Sequence, residues 1–539
     1  MKNQVFLTLA FFGLLFASCN KDTENDTDND IATSLEGDAW ISLSINSTSN
    51  NTRALNGEIT GTPAETTIGT VRAIFFDTGL EVTADVPLTA QAGNIGQPTG
   101  TPGDAFKVPA TSAHVLIVAN PPASFGVRSE GDLFSAVNTA LTDAASVVAA
   151  DDKFMMSNAK GDLEPTDNST GALETLTLYT NATAAKNNAL SINIDRVVAK
   201  VRVNISNINT AAIVDGTGWV LNVTNKKFFP VSKRAKTYLE GTARGCITPY
   251  DQYKIGSYRV DPNYDNTNIG VWSTADYALN YNYYLESSAP AAGDWKVSGG
   301  SDYCHENTQE KTYNMHAYTT QLLVKTNFAP ASFVNPGSTA AETNASATID
   351  WMRINNGFYS FTTLKNWIED ELTGKYSGGA PDSHTTPIST TVNAYLASIS
   401  STVSIPLPTA AEYADPPYSN TVANVIDAFN TDWATIQADI VAAGAASSNG
   451  FVFYNGGLNY YKVMIKHDNS DADDVVNEFG EFGVVRNSVY DVNITAFNNP
   501  GYPTIPAPDP NAPDEDEKVW LSVQINVNPW TWYTQNEIL

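Results

Sequence analysis

The residues best suited to chemistry in this sequence are its three cysteines, Cys19, Cys246 and Cys304. Cys19 follows two small residues and a mostly apolar run at 5–16. A run of this length is too short to span a bilayer and is typical of a signal peptide. Small residues directly before a cysteine are typical of a bacterial lipobox, in which the thiol receives a lipid and the chain is cut before it. We therefore predict a lipoprotein signal peptide over residues 1–19; an ordinary signal peptide with an accidental cysteine is the alternative.

The two remaining cysteines have no metal-binding or redox spacing. The sequence contains no CxxC motif, so a zinc or thioredoxin-like site has no support. Export places Cys246 and Cys304 in an oxidising compartment. A disulfide between them and two separate thiols remain equally open.

Catalytic motifs are absent from the sequence. It has no nucleophile elbow, phosphate-binding loop or HExxH motif. Four aspartates at 468–474 lack the spacing of an EF-hand, so a solvated loop is the better interpretation than a calcium site. We expect no metal, no cofactor and no enzymatic activity. An exported glycosidase with paired carboxylates stays an alternative, because sequence alone does not locate such a pair. The histidines are scattered, and we expect structural roles for them: His114, His305, His316, His384 and His467.

The amino-acid composition limits the kinds of molecule that the chain could bind. The chain has 539 residues, long enough for two or three domains. Lys and Arg total 30 against 58 Asp and Glu, a formal net charge of −28. This acidic balance argues against nucleic acid and against an anionic membrane surface. Aromatic residues make up 10% of the chain, which excludes wholesale disorder.

A polar loop at 46–54 is suited to proteolysis. Arg53 is the only basic residue between Lys21 and Arg72. A soft polar loop with one basic residue is a preferred site of cleavage. We predict a cut between Arg53 and Ala54.

Alternating apolar and polar residues indicate a mainly β protein. The Ser-, Gly- and Thr-rich stretches between the elements, including much of 240–310 and 330–450, are expected to be surface loops. Residues 499–517 are Pro-rich and acidic, which is typical of an extended linker. The main predicted strands are 40–46, 70–76, 114–120, 190–194, 197–203, 219–223, 320–325, 451–454, 460–465, 489–494 and 519–527. Short helices are predicted at 133–141, 364–372 and 431–442.

One strand sequence occurs at both ends of the chain. Residues 40–46 read WISLSIN and residues 520–526 read WLSVQIN. Both could fill the same position in a sheet. The first precedes the cleavable loop and the second follows the linker, which suggests strand exchange between copies, a form of β-augmentation. Two unrelated edge strands are the alternative. The residues predicted to be displaced are Trp40, Ile41, Leu43 and Ile45, and those predicted to replace them are Val519, Leu521, Val523, Ile525 and Val527.

Motifs from end to end resemble those of the Bacteroidales Mfa-type fimbrillins, the major shaft subunits of type V pili. Each motif alone is weak, and their order along the chain is specific. The long stretches at 240–310 and 330–450 depart from the family pattern and leave adhesive specificity open. The matching motifs are the lipobox ending at Cys19, Thr-Arg-Ala at 52–54, the strand at 114–120, Met-Met-Ser at 155–157, and the segments at 196–201, 226–234, 484–490 and 522–530.

The resemblance implies two transthyretin-like β-sandwich domains with a few short helices and a C-terminal donor strand. It implies export as a lipoprotein, cleavage after Arg53 by an arginine-specific protease, and polymerisation by donor-strand exchange into a fimbrium on the outer membrane, supporting adhesion and biofilm formation. The expected segments are a signal peptide at 1–19, a propeptide at 20–53, sandwich domains at 54–208 and 209–498, a linker at 499–517 and a donor strand at 518–539.

The implied partners are copies of the chain itself, accessory, anchor and tip subunits, the maturation protease, and host or bacterial surface ligands. A tip or accessory adhesin and a monomeric glycan-binding surface lipoprotein are the alternative functions. An anchor subunit is expected to lack the detachable C-terminal strand, so that strand favours the shaft.

Overall fold

The computed structural model of the chain describes residues 37–47, 59, 61–89, 102–159, 173–233, 258–264, 274–309, 314–335, 340–376, 387–407, 419–444, 446–448, 450–467, 480–514 and 520–530. Most of the ordered elements are strands, which confirms a mainly β fold. Within these ranges no helix combines the length and the apolar character needed to cross a membrane.

The first β unit has a long sheet with strand order β2-β9-β7-β6-β3-β4, beside a separate β1-β5 pair. The central strands β3 and β6 are nearly continuous apolar runs because both faces of the sheet are covered. The strands are β1 (Asp38–Ile41), β2 (Leu43–Asn46), β3 (Val71–Phe76), β4 (Val82–Leu88), β5 (Phe106–Pro109), β6 (His114–Ala119), β7 (Met156–Asn158), β8 (Glu174–Thr175) and β9 (Leu190–Arg196). The helices are α1 (Pro63–Thr66), α2 (Phe134–Val137), α3 (Ala145–Val148) and α4 (Ala182–Asn187).

The second β unit packs two sheets over a common core, with strand orders β14-β10-β23-β24 and β11-β15-β22. Trp219, Tyr461 and Tyr490 lie in this core. The strands are β10 (Val198–Ile205), β11 (Ala212–Asn222), β12 (Thr224–Asn225), β13 (Tyr281–Asn282), β14 (Gly300–His305), β15 (Gln321–Pro330), β16 (Ser332–Phe333), β17 (Glu342–Thr343), β18 (Trp351–Ile354), β19 (Gly357–Tyr359), β20 (Ala446–Ser448), β21 (Phe451–Tyr454), β22 (Leu458–Met464), β23 (Ser488–Phe497) and β24 (Leu521–Pro529).

Strand β10 belongs to the second unit by sheet membership. It pairs with β14 and, in parallel, with β23. The predicted domain boundaries placed this strand in the first domain, within 54–208. Val197 alone lies between β9 and β10, so the two units meet at this residue.

Residues 330–450 contain more helix than was predicted. The helices predicted at 364–372 and 431–442 are confirmed but are longer, and a third helix was not predicted. The helices α6 (Phe361–Tyr376), α7 (Ile388–Ser398) and α8 (Ser419–Ala443) form a third core with the sheet of β18 to β21. A shorter helix, α5 (Thr274–Asn280), lies in the other predicted loop. Leu364, Ile368 and Leu372 are fully buried on one face of α6, at the spacing of an amphipathic helix.

The helix predicted at 133–141 is only one turn long, from Phe134 to Val137. Asn138 ends it, because its side chain accepts from the Val231 amide at 2.8 Å and donates to the Val231 carbonyl at 3.1 Å. An Asn side chain that bonds the backbone elsewhere competes with the helical pattern.

The described part of the predicted linker, 499–514, is docked on the second unit. Tyr502 exchanges backbone hydrogen bonds with Tyr460, and Ile505 is buried beside it. At the far end, Asp514 is fully buried and accepts a hydrogen bond from Thr319. The expectation of an extended free linker is wrong for these residues, because their apolar and acidic side chains have specific partners.

Candidate assembly site

The N-terminal strand segment, β1 with β2, lies between backbone partners on both sides. On one side β1 pairs antiparallel with β5, and the Gly103 amide donates to the Leu43 carbonyl at 2.9 Å. On the other side β2 pairs in parallel with β9, and Trp40 exchanges two hydrogen bonds with Tyr179. Removing this segment would expose two rows of backbone groups. We call the space that it fills the slot.

The predicted apolar residues of this segment fill the core of the first unit. Ile41, Leu43 and Ile45 are at most 3% exposed. Trp40 is half-buried, and the Lys107 ammonium lies 5.5 Å from its ring centroid. Each fully buried aliphatic side chain contributes roughly 1.5–3 kcal/mol. The segment is therefore a stabilising part of the uncleaved fold.

Two polar side chains bind the walls of the slot. Ser42 Oγ donates to the carbonyl of Gly103 at 2.8 Å. The Asn46 amide donates to Ser191 Oγ at 3.0 Å and to Asn193 Oδ1 at 3.3 Å. Both residues are at most 5% exposed, so these hydrogen bonds satisfy buried groups.

The C-terminal strand β24 forms an edge of the second unit. It pairs antiparallel with β23 over its whole length. Ile525 and Val527 are buried, whereas Leu521 and Val523 are only half-buried. The repeated sequence predicts that this strand pairs with another copy of the chain. In this structure it is paired within its own chain, because its alternating apolar face completes the second core.

The polar residues that β24 shares with the N-terminal segment have little to bind at this edge. Ser522 Oγ accepts from the amide of Asn498 at 3.0 Å in an exposed contact. Asn526 is exposed. Their counterparts Ser42 and Asn46 are buried and bonded in the slot.

Directly after β24, Trp530 lies between the two units, 1% exposed. Its ring stacks on Tyr303 with 5.9 Å between centroids and meets Phe154 edge-on at 5.8 Å. The Arg196 guanidinium lies 4.5 Å and the Lys200 ammonium 5.6 Å from its centroid. We call these four residues the indole cage. They combine ring contacts with two cation–π contacts.

Glu65, on α1, forms hydrogen bonds with three residues of the cage. Its carboxylate accepts from Lys200 Nζ at 2.5 Å and from the Tyr303 hydroxyl at 2.6 Å, and its backbone carbonyl accepts from Arg196 Nε at 2.9 Å. Burial alone would raise the pKa of Glu65, but hydrogen bonds from Lys200, Tyr303 and the Thr62 amide hold it below its ordinary value. Glu65 was not among the predicted site residues, although the spacing of Thr62 and Glu65 is that of a capping box.

Several predicted site residues lie outside the described part of the chain: Cys19, Arg53, Ala54, Cys246 and Val519. Lipidation and cleavage therefore stay predictions, and both alternatives for Cys246 and Cys304, a disulfide or two separate thiols, stay open. Cys304 is 1% exposed on β14, and burial raises the pKa of its thiol well above the ordinary value.

The histidines covered by the structure include a buried structural one. His305 stacks on Phe228 at 4.5 Å, and its Nε2 lies 2.8 Å from the carbonyl oxygen of Asp143. Burial lowers the pKa of His305 to about 4. No group of three or more His, Cys, Asp or Glu residues in the described ranges is placed to hold a metal. His384 and the aspartates at 468–474 lie outside those ranges.

Solved structures of fimbrial proteins are distantly similar to this chain. A fimbrilin from Porphyromonas gingivalis W83 has 14% identity and a TM-score of 0.40, covering 93% of this chain and 100% of that one. The tip fimbrial protein Mfa3 of the same species has 11% identity and a TM-score of 0.29, covering 92% and 100%. A fimbrial assembly protein from Parabacteroides distasonis has 11% identity and a TM-score of 0.27, covering 57% and 85%. No curated protein matches the sequence significantly.

Two family models match the parts of the chain that hold the slot and β24. Residues 39–196 match the major fimbrial subunit protein (FimA) family. Residues 452–536 match the C-terminal model of the major fimbrial subunit protein type IV, or fimbrillin, family. Such proteins are structural rather than enzymatic and assemble with other fimbrial subunits at the cell surface. The resemblance found in the sequence motifs is confirmed: residues 39–196 and 452–536 are similar to the major fimbrial subunit proteins, the fimbrillins.

Proposed function

We propose that this chain is a fimbrial shaft subunit that polymerises by donor-strand exchange, with residues 518–539 of one copy entering the slot of the next. The observation that carries the proposal is the match in polar residues. Ser522 and Asn526 repeat Ser42 and Asn46, the two side chains that bind the slot walls. Their own positions on the edge strand require neither residue, because Asn526 is exposed and Ser522 has only an exposed contact.

Proteolytic maturation would empty the slot. The precursor is exported as a lipoprotein anchored through Cys19 in the outer membrane, and an arginine-specific protease cuts after Arg53. Because β1 and β2 precede the cut, they leave with the lipid. The slot then presents the unpaired edges of β5 and β9, which is the acceptor geometry for β-augmentation.

Exchange would bury two apolar side chains of the donor strand more fully. Leu521 and Val523 are half-buried at the edge of their own sheet, whereas Ile41 and Leu43, their counterparts in the slot, are at most 1% exposed. Completing the burial of an aliphatic side chain contributes up to roughly 1.5–3 kcal/mol. The slot would therefore bury Leu521 and Val523 more fully than their own edge position does.

Each donor enters a different copy from the one that fills its own slot. Such a head-to-tail contact does not close and produces a filament. Accessory, anchor and tip subunits would end or attach it, and host or bacterial surface ligands would be bound for adhesion and biofilm formation. The presence of an exchangeable C-terminal strand favours a shaft subunit over an anchor.

Cleavage of soluble residues 20–539 with an arginine-specific protease tests the proposal. We expect a ladder of SDS-resistant multimers on an unboiled gel only after the cut at Arg53, because strand-exchanged assemblies persist by slow unfolding. Arg53→Lys is the matched control: it should resist that protease and assemble after a lysine-specific one. Trimming at Arg53 without multimers, or multimers from an uncut Arg53→Ala variant, would refute the mechanism.

A further inference from the structure

We propose that the indole cage is a shared docking site for Trp530, filled by the chain's own Trp530 before assembly and by the Trp530 of the incoming copy in the fimbrium. The inference rests on the proposed strand exchange and names a second contact that accompanies it. Its partner is a second copy of this chain.

The cage lies at the junction of the two β units. Strand β9 ends at Arg196 and β10 begins at Val198. From the side of the second unit, β24 runs toward this junction: Pro529 pairs with Ser488, and the Trp530 amide donates to the Asn487 carbonyl at 3.0 Å. The residue that follows the strand is therefore delivered into the cage.

The slot leads to the same junction from the side of the first unit. Strand β2 runs parallel to β9, with Asn46 opposite Asn193. Just beyond β2, Ser47 Oγ lies 3.3 Å from the carbonyl oxygen of Thr66 on α1, the helix that carries Glu65. The N-terminal segment therefore ends beside α1, the helix whose Glu65 binds residues of the cage.

Register predicts where a donor strand would end. If Asn526 of the donor takes the place of Asn46, it lies opposite Asn193 of the acceptor. In a parallel pair both strands advance by about 3.3 Å per residue. Four residues later, Trp530 of the donor is level with Val197, next to Arg196 of the acceptor's cage. The same side chain reaches the same site by either route.

The cage is shaped for an indole ring. The rings of Trp530 and Tyr303 are within 6° of parallel, and the Arg196 and Lys200 cations lie by the indole. Gly61 leaves the necessary space, since a Cβ there would lie 3.1 Å from the indole Nε1 and 2.5 Å from Arg196 Nη2. The cage therefore accommodates one indole at a time.

Single occupancy couples successive steps of assembly. When the incoming Trp530 takes the cage, the acceptor's own Trp530 is displaced and its β24 loses the anchor at the junction. That strand then becomes available to the next copy. A subunit would thus release its donor strand on joining the filament, which limits premature pairing between free subunits.

Photo-crosslinking tests the shared site. The change Trp530→p-benzoylphenylalanine keeps an aromatic side chain at this position in full-length residues 20–539. Before cleavage, we expect intramolecular crosslinks to residues 61–66 or Phe154. After cleavage and assembly, we expect crosslinks to the same residues of a neighbouring copy, which isotope-labelled and unlabelled subunits mixed before assembly distinguish by mass spectrometry.

Two outcomes would overturn the inference in different ways. Multimers whose crosslinks stay within one copy, or map elsewhere in the neighbour, would refute the shared cage and leave strand exchange intact. A complete absence of multimers after cleavage, also for the wild-type chain, would refute strand exchange and the shared cage together.

Alanine variants provide a second measurement. Trp530→Ala should still give multimers, with a lifetime in SDS shortened about tenfold or more because an aromatic anchor is lost. Trp520→Ala removes the same residue type from the other end of the donor segment, where Trp520 contacts Tyr502. With this matched control, crosslinks from position 530 should still map to the neighbour's cage. Equal lifetimes for wild type and Trp530→Ala would count against the anchor.

Discussion

The side-chain amide of Asn46 lies 3.3 Å from Oδ1 of Asn193, directly across the parallel pair of β2 and β9. Asn526 would make this contact in an exchanged strand. We therefore expect Asn526→Ala to leave the uncleaved monomer as stable as wild type, because the residue is exposed there. In multimers it should weaken strand binding by about 1–3 kcal/mol, since buried partners lose their hydrogen bonds. The dissociation rate of multimers in SDS measures this effect.

A matched control is Gln524→Ser, which gives the donor the residue that stands at position 44 of the N-terminal segment. Ser44 is 2% exposed in the slot, so a smaller side chain should fit at least as well as Gln524. Multimers of this variant should dissociate no faster than wild type. If multimers of both variants dissociated faster than wild type by the same factor, the match of polar residues would not determine how well the donor strand binds the slot.

The sequence predicted the strands of the slot because their apolar spacing has period two, and it found β24 by direct repetition. It did not predict α7, because Thr390, Thr391 and Val392 have low intrinsic helix propensity. Tertiary burial of Val392, Tyr395 and Leu396 overrides that preference. Such packing depends on α6 and β21, which local patterns do not reveal.

The indole cage could not be predicted from the sequence for a different reason. Arg196, Tyr303 and Trp530 come from three distant segments and meet only where the two units join. The docked linker has a similar origin: Tyr502 and Ile505 find apolar partners that a Pro-rich acidic composition does not indicate. Contacts between segments that are distant in the sequence depend on the tertiary fold. They are therefore difficult to predict from a single sequence.

The ion pair of Arg486 with Glu306 should be important for the stability of the second unit. Its closest atoms are 3.2 Å apart and both side chains are at most 5% exposed. Arg486→Met should reduce the free energy of unfolding by about 3–5 kcal/mol, because it leaves a buried carboxylate without its partner. Urea unfolding of the uncleaved chain measures this. The exposed pair of Lys186 with Asp104 is the control, and Lys186→Met should change stability little. Similar midpoints for both variants would contradict the expectation.

Asp261 should make stability depend on pH. Burial raises its pKa from an ordinary 3.8 to about 7, despite hydrogen bonds from the Thr308 and Asn263 amides. A carboxyl group with a raised folded pKa stabilises the fold most at low pH, and this contribution declines between about pH 4 and pH 7. Urea unfolding at pH 5 and pH 8 measures the effect. The free energy of unfolding of the wild type should be lower at pH 8 than at pH 5, and this decrease should be smaller for Asp261→Asn. Burial lowers the pKa of His305 to about 4, which opposes this trend below pH 6.5, so only the difference between variant and wild type is diagnostic. An identical pH dependence would refute the assignment.

Glu65 should hold the first unit to the cage, since it connects α1 to Lys200 and Tyr303 of the second unit. Its pKa is held below the ordinary value, so its contribution to stability is present at neutral pH and is lost as the pH falls below about 4.5. Glu65→Gln removes the charge but keeps a hydrogen-bond acceptor, and we expect a loss of about 1–3 kcal/mol at pH 7. The difference in stability between the variant and wild type should shrink as the pH falls below about 4.5. Because the indole is packed against Lys200 and Tyr303, the same variant should also release β24 more readily, measured as faster hydrogen exchange of the β24 amides. Unchanged exchange in β24 together with reduced global stability would mean that Glu65 supports the fold without anchoring Trp530.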